Sequence, residues 1–133
     1  MSKIVVYWSG TGNTEDVANK IAQDLGCEAV SVSAVSVDEV AQNDVIVFGC
    51  PAMGSEELEE DEFRPFYEAV MAAAGGKKVA LFGSYGWGDG EWMRNWQDEV
   101  VSLGGVLAGE GLIVNGDSSA IDDAAYQAFL ATI

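Results

Sequence analysis

Three short segments of the sequence carry residues that could do chemistry, and the first combines glycine with hydroxyl side chains. It spans residues 9–14 and reads SGTGNT. Gly10 and Gly12 permit tight backbone conformations, and amides at the start of a following helix would favour a phosphate. The segment is not a dinucleotide-binding G-x-G-x-x-G motif, because Glu15 stands where the third glycine would fall, and the chain has no G-K-[ST] of a nucleotide P-loop. It contains no lysine or arginine, so a phosphate would be held by neutral donors. These are the backbone amides and the side chains of Ser9, Thr11, Asn13 and Thr14.

The second segment joins a methionine and a glycine to a run of carboxylates. Residues 50–56 read CPAMGSE, and acidic side chains continue from there to Glu62. Gly54, which follows Met53, frees its peptide to adopt either of two orientations at little steric cost. Most of the acidic run is typical of a solvated helix start, where the helix dipole favours negative charge.

The third segment places aromatic rings among glycines. Residues 84–90 read SYGWGDG, with Tyr85 and Trp87 at the second and fourth positions. An indole in this setting offers a flat face to a planar ligand, unless it folds back onto the core. Trp92 and Trp96 lie one helical turn apart, and we predict that both belong to the core.

Alternating strands and helices must position these segments. Apolar, β-branched runs predict strands at 4–8, 44–49, 78–83 and 106–114, with a weaker strand at 29–32. Amphipathic helical patterns lie between them. We predict a single α/β domain over residues 1–133, with a doubly wound, five-stranded parallel sheet of order 2-1-3-4-5 and helices on both faces. In that order strands one, three and four are adjacent, so the segments that follow them converge on one crevice.

Composition excludes several classes of function. The 133 residues include 6 Lys+Arg and 22 Asp+Glu, a net charge of −16, and no histidine. The acidic surface disfavours nucleic acid and anionic membranes and attracts basic proteins. Without histidine, the commonest general base is missing. Cys27 and Cys50 form no C-x-x-C pair, and together with the absence of a signal-peptide pattern they favour a reducing cytoplasm.

The three segments and their flanks resemble the short-chain flavodoxins of anaerobic bacteria, of the clostridial type. The matching stretches are YWSGTGNTE at 7–15, GCPAMGSEE at 49–57 and FGSYGWGDG at 82–90. Three motifs in the same order make the resemblance specific, and it extends over nearly the whole chain. It implies a flavodoxin-like fold with the cofactor FMN bound at the carboxyl edge of the sheet.

The resemblance also implies a role in FMN binding for residues of each segment. The first segment would bind the phosphate together with Ser84, and Met53 and Trp87 would sandwich the isoalloxazine ring. Glu56 would accept a hydrogen bond from the flavin N3–H, and the peptide after Gly54 would flip on reduction. The residues implied are Ser9, Gly10, Thr11, Gly12, Asn13, Thr14, Pro51, Ala52, Met53, Gly54, Ser55, Glu56, Ser84, Tyr85, Gly86, Trp87, Gly88 and Asp89, with Asn115 a weaker candidate.

The function that the resemblance implies is electron transfer rather than enzymatic catalysis. The protein would be a low-potential one-electron carrier with non-covalently bound FMN, cycling between semiquinone and hydroquinone in place of ferredoxin. An FMN-dependent quinone or NAD(P)H oxidoreductase and a ribonucleotide-reductase-activating flavoprotein remain alternatives. Two phosphate-handling modules do not fit, because a receiver needs an aspartate where Cys50 stands and a low-molecular-weight tyrosine phosphatase needs an arginine where Glu56 stands.

Partners follow from the resemblance and from the charge. We expect redox proteins with basic docking surfaces, namely reductases and ferredoxin-linked oxidoreductases. We expect no binding to nucleic acid or membranes, no metal site, and a monomer.

Overall fold

The chain folds into alternating strands and helices around one sheet. The computed structural model describes residues 2–10, 12–53, 57–86 and 88–133. The strands are β1 (Lys3–Tyr7), β2 (Glu28–Ser31), β3 (Val45–Gly49), β4 (Lys78–Ser84), β5 (Val106–Leu107) and β6 (Leu112–Val114). The helices are α1 (Asn13–Leu25), α2 (Val37–Ala41), α3 (Phe63–Ala73), α4 (Glu91–Ser102) and α5 (Asp123–Ala131), with a 3₁₀ turn at Ser118–Ala120.

The sheet has the strand order predicted from the sequence. Its path is β2-β1-β3-β4-β5, and every pair is parallel. The carboxyl ends of β1, β3 and β4 therefore lie side by side. Tyr7 pairs with Gly49, and Gly49 pairs with Phe82, at the edge where the three segments leave the sheet.

The predicted last strand, 106–114, is interrupted, so the sheet formed by the described residues has six strands instead of five. β4 is long enough to pair with β5 at its start and with β6 at its end. Of the four residues between β5 and β6, Ala108 still donates from its amide to Val79 O of β4 at 2.8 Å, whereas Gly109 and Gly111 contact the helices. The amide of Gly111 donates to Gln97 Oε1 of α4 at 2.6 Å, and Gly109 lies so close to Thr132, just after α5, that a Cβ on it would be 2.7 Å from Thr132 Cγ2.

Helices cover both faces of the sheet, as predicted. Alternate strand residues face opposite ways, so Val6 and Phe48 pack against α3 and α4 while Val5 and Val47 pack against α1 and α5. On the first face the predicted core tryptophans Trp92 and Trp96 are buried, at 2% and 1% exposure. On the second face the core side chains come from α1 (Val17, Ala18, Ile21, Ala22) and α5 (Tyr126, Phe129).

Local signals set the helix boundaries. Ser36 and Glu39 form a capping box at the start of α2. Gly12 precedes α1 with a φ of 96°, and Gly90 precedes α4 with a φ of 91°, in the left-handed region that favours glycine. Among the described residues, no helix has the length and apolar character that a membrane span requires.

Candidate functional site

A cavity of about 330 Å³ lies at the carboxyl edge of the sheet, where the three segments meet. Each segment contributes to its lining. The lining residues are Gly10 and Asn13, Pro51, Ala52 and Met53, and Ser84, Tyr85 and Gly86, together with Trp8, Asn115 and Gly116. The lining contains hydroxyl, amide and apolar groups and, within the described residues, neither a lysine nor an arginine. It can therefore hold an anionic group only through neutral donors.

The first segment turns tightly from β1 into α1. The Oγ of Ser9 accepts hydrogen bonds from the amides of Gly12 at 3.1 Å and Glu15 at 3.2 Å. Because both bonds are accepted, the hydroxyl proton of Ser9 remains available to donate. The first amides of α1 have no acceptor inside the helix and carry its positive dipole end, which favours an anion at this point.

A buried pair of hydroxyl groups joins the first and third segments. Thr14 in the first turn of α1 and Ser84 at the end of β4 are 1% and 5% exposed, and their Oγ atoms lie 2.7 Å apart. One of their two protons is used between them, and the other remains for an acceptor. Since Ser84 also lines the cavity, the pair places a neutral donor at its base.

Backbone hydrogen bonds fix the other two segments against each other. The amide of Cys50 donates to Phe82 O at 3.2 Å, and the amide of Ala52 donates to Ser84 O at 3.0 Å. These bonds carry the β3–β4 pairing beyond Gly49, the last residue of β3. The amide of Tyr85 donates to Val114 O at 2.9 Å. The described beginnings of the second and third segments thus run side by side beyond the sheet, and both line the cavity.

Large side chains with apolar surfaces, those of Trp8, Met53 and Tyr85, form part of the cavity wall. Met53 is 36% exposed, which is high for a large apolar side chain. Tyr85 is half-buried and leans on Trp92, with ring centroids 5.5 Å apart and planes inclined by 46°. Trp8 is half-buried and donates from Nε1 to Glu62 Oε1 at 3.3 Å, which links the first segment to the acidic run. A cavity that combines these apolar surfaces with a cluster of neutral donors suits a planar ring attached to a phosphate.

Comparison with known proteins places this arrangement in one family. The family model described as Flavodoxin matches residues 5–129. The chain belongs to the flavodoxin family. It is 48% identical over 118 residues to a flavodoxin of Clostridium beijerinckii, covering 85% of this chain and 86% of the relative. It is also 48% identical over 114 residues to a flavodoxin of Megasphaera elsdenii, covering 82% of this chain and 83% of the relative.

Solved flavodoxin structures share the whole fold. The solution structure of two-electron reduced Megasphaera elsdenii flavodoxin matches with a TM-score of 0.83 and 42% identity over 98% of both chains. A flavodoxin from the domain Archaea matches with a TM-score of 0.77 at 23% identity, which shows the fold alone. As a flavodoxin, the chain is an electron carrier with FMN as cofactor and not an enzyme. The resemblance seen in the sequence is confirmed, and membership of the family favours the carrier over the two alternatives.

The residues of this flavodoxin fit FMN. The phosphate would meet the start of α1 and the proton left over by the Thr14–Ser84 pair, and the ring would lie against Met53 and Tyr85. Among the described residues, the lining brings no charge that a phosphate or an isoalloxazine ring would have to displace. FMN, when bound, supplies the one-electron chemistry that the side chains of this flavodoxin lack.

The sequence-predicted site residues do not all line the cavity. Gly10, Asn13, Pro51, Ala52, Met53, Ser84, Tyr85 and Gly86 line it, whereas Ser9, Gly12 and Thr14 support it from the first segment. Gly88 and Asp89 are exposed outside the lining. The backbone carbonyl and the carboxylate of Asp89 accept hydrogen bonds from Arg94, each at 3.1 Å. Thr11, Gly54, Ser55, Glu56 and Trp87 lie outside the described residues.

Three residues outside the main predicted set also line the cavity. Trp8 and Gly116 line it, as does Asn115, which the resemblance marked only weakly. Trp8 directly follows β1, and Asn115 and Gly116 directly follow β6. The rule that sites lie just past the carboxyl ends of parallel strands would have found all three.

The two cysteines of this flavodoxin take no part in the site. Both are free thiols. Cys50, at the end of β3, is buried, and burial raises the pKa of its thiol to about 12. Cys27 is half-buried, and burial raises its pKa as well. Both groups therefore stay protonated near neutral pH and are poor nucleophiles.

Proposed function

We propose that this flavodoxin is a low-potential one-electron carrier that works in place of ferredoxin between redox enzymes with basic docking surfaces. The observation that carries the proposal is the cavity lining, which holds no cationic side chain among the described residues. Carboxylates stand next to it: Glu57 pairs with Met53 through the backbone, and Glu62 is bonded to Trp8. The net charge of the chain is −16.

Electrostatics connects this charge distribution to a low potential. A negative charge that develops on a bound group is destabilised when carboxylates are near and no cation compensates it. The binding site then favours the less charged state of its cofactor. Each tenfold preference of this kind moves a one-electron potential by about 59 mV, so the addition of the second electron becomes difficult.

The acidic rim of the cavity is formed by Glu57 and Glu62. A cation placed at this rim should raise the lower of the two one-electron potentials. In Glu57→Lys we expect a rise of tens of mV, a few-fold change in relative affinity at about 59 mV per tenfold. The two hydrogen bonds between Met53 and Glu57 involve the backbone only, so the substitution leaves them in place. The measurement is a redox titration of the FMN-loaded protein by visible absorbance.

Glu28→Lys is the matched control for charge. Glu28 is exposed at the start of β2, the opposite end of the sheet from the cavity. The Glu28→Lys substitution makes the same change of charge, but at a distance from the cavity at which salt screens its effect. The electrostatic account would be contradicted if the lower of the two one-electron potentials equalled that of free FMN. It would also be contradicted if that potential changed equally in the two variants.

Docking by the acidic rim should make electron transfer sensitive to salt. With a small basic haem protein as the acceptor, we expect the second-order rate to fall steeply as ionic strength rises. Glu57→Lys should lower the rate at low salt more than Glu28→Lys does, because only Glu57 lies beside the cavity. A rate that is independent of salt, or equal in the two variants, would count against docking at this edge.

We infer further that the carrier acts in a reducing cytoplasm as a monomer. Free Cys27 and Cys50 support the first inference. The charge of −16 supports the second, since two copies repel each other. The same charge opposes binding to nucleic acid or anionic membranes. Reductases and ferredoxin-linked oxidoreductases are the partner classes we propose.

A further inference from the structure

Glu59 is the one carboxylate that is buried among the described residues. Its exposure is 8%, whereas its acidic neighbours Glu57, Glu60, Asp61 and Glu62 are exposed. It does not line the FMN cavity. A buried carboxylate is costly unless it is paired or hydrogen-bonded, so the groups around it indicate what it does.

The carboxylate of Glu59 caps the start of α3. Its oxygens accept hydrogen bonds from three successive amides: Asp61 at 2.9 Å, Glu62 at 2.7 Å and Phe63 at 2.8 Å. Glu62, the residue at the N-cap, makes no capping bond with its own side chain. A carboxylate suits this position because three N–H donors point at it and the helix dipole favours negative charge there.

The backbone of Glu59 binds the end of β3 and the first turn of α3. Its amide donates to the Sγ of Cys50 at 3.4 Å, and its carbonyl accepts from the amide of Arg64 at 2.9 Å. Cys50 directly precedes the cavity residues Pro51, Ala52 and Met53. Glu59 therefore connects the two ends of the chain that crosses from β3 to α3.

In the segment that runs from β3 to α3, Met53 and Glu57 form a backbone bridge beside the cavity. The amide of Met53 donates to Glu57 O at 2.8 Å, and the amide of Glu57 donates to Met53 O at 2.9 Å. Glu57 is joined to Glu59 through Leu58, which is buried at 3% exposure. A change in the position of Glu59 is thus transmitted over two residues to the bridge, and through it to Met53 in the cavity wall.

We propose that Glu59 is a positioning residue for FMN: its buried carboxylate holds the Met53–Glu57 bridge against the cavity without touching the cofactor. Glutamine at this site would lack the charge and would present a single acceptor oxygen to three amides. The bridge would then open more often, and the wall that Met53 provides would be less well defined.

The test compares Glu59→Gln with Glu60→Gln in the FMN-loaded protein. Both variants remove one negative charge at neighbouring positions, but Glu60 is exposed, so its loss changes only the local field. We expect the dissociation constant of FMN to rise about tenfold in Glu59→Gln and to stay within about twofold in Glu60→Gln. Amide hydrogen exchange at Met53 and Glu57 should quicken only in Glu59→Gln.

The pH dependence of that exchange separates positioning from a general loss of stability. Burial alone would raise the pKa of Glu59, but the three amide bonds outweigh it and hold the pKa below its ordinary value. A lowered pKa means that protection is full above the ordinary pKa of a glutamate and is lost as the pH falls through the folded-state value. Among the described residues, the titratable side chain hydrogen-bonded to Glu59 is the Cys50 thiol, which stays protonated in this range. The guanidinium of Arg64 pairs with Glu68 and Glu99 instead. The carboxylates of Asp61 and Glu62, whose amides bind Glu59, are exposed.

Three outcomes decide the proposal. An acid-dependent loss of protection at Met53 and Glu57 that persists in Glu60→Gln and vanishes in Glu59→Gln supports it. Equal exchange and equal FMN affinity in the two variants overturn it. If Glu59→Gln does not fold, Glu59→Asp retains the charge on a shorter side chain, and wild-type exchange at Met53 and Glu57 in that variant also overturns the proposal.

Discussion

Gly83→Ala is expected to lower the free energy of unfolding by about 3 kcal/mol or more and to weaken FMN binding. A Cβ on Gly83 would lie 2.1 Å from Cys50 O, 3.1 Å from Cys50 C and 3.2 Å from Trp92 Cζ2. The first two atoms belong to the backbone, so no change of rotamer relieves the overlap. β3 and β4 would have to separate where they form the base of the crevice. Urea unfolding at constant FMN concentration, followed by tryptophan fluorescence, measures the loss.

Gly75→Ala is the matched control for this substitution. Apart from its chain neighbours, a Cβ on Gly75 would meet no atom within 4 Å, and the residue has no left-handed φ. Its replacement should change the free energy of unfolding by no more than about 0.5 kcal/mol. Equal stability of the Gly83 and Gly75 variants would show that the strands can move apart at this edge without cost.

Thr14→Val is expected to reduce FMN affinity at least tenfold, about 1.4 kcal/mol, and to destabilise the protein by about 1–3 kcal/mol. Valine keeps the shape of threonine but removes the hydroxyl that lies 2.7 Å from Ser84 Oγ. The buried Ser84 hydroxyl is then left without its partner, and the start of α1 loses a donor. FMN affinity is measured by fluorescence titration and stability by urea unfolding.

The double variant Thr14→Val/Ser84→Ala distinguishes a structural role from a role in binding. Removing both hydroxyl groups leaves no unpaired polar atom, so stability should recover relative to the sum of the single variants. FMN affinity should not recover, because the donors are gone. Thr132→Val, which removes a hydroxyl that donates locally to Phe129 O, should change neither quantity appreciably. Recovery of FMN affinity in the double variant would show that the pair serves the fold alone.

The strand order and the three loops could be predicted because their signals are local. Buried strands read as short apolar runs, glycine and hydroxyl residues follow them, and the strand order brings those residues together. The same reasoning predicted β5 and β6 as one continuous strand. The run from 106 to 114 is apolar enough for one strand, but α4 binds Gly111 through Gln97 and Thr132 packs on Gly109. Contacts with helices that are distant in sequence override the strand pattern there.

The acidic run shows the same division between local and distant information. Residues 57, 59, 60 and 62 are all glutamates, and from the sequence they are equivalent members of a solvated helix start. In the structure Glu59 is buried and accepts hydrogen bonds from backbone amides, Glu62 accepts one from Trp8, and Glu57 and Glu60 are exposed. Which glutamate turns inward depends on where Cys50 and the first turn of α3 lie, and no residue type encodes that.

The sequence by itself determined the fold class, a parallel α/β sheet, and the family, and with the family the cofactor. It also predicted neutral donors for the phosphate of that cofactor. Tertiary structure decided which hydroxyl groups form the buried Thr14–Ser84 pair, how closely the β3 and β4 backbones approach at Gly83, and which carboxylate supports the wall at Met53. The physical reason is the distance in sequence over which each kind of interaction acts. Propensity and periodicity act over a few residues, whereas each of these contacts joins residues that only the folded sheet brings within a few ångströms.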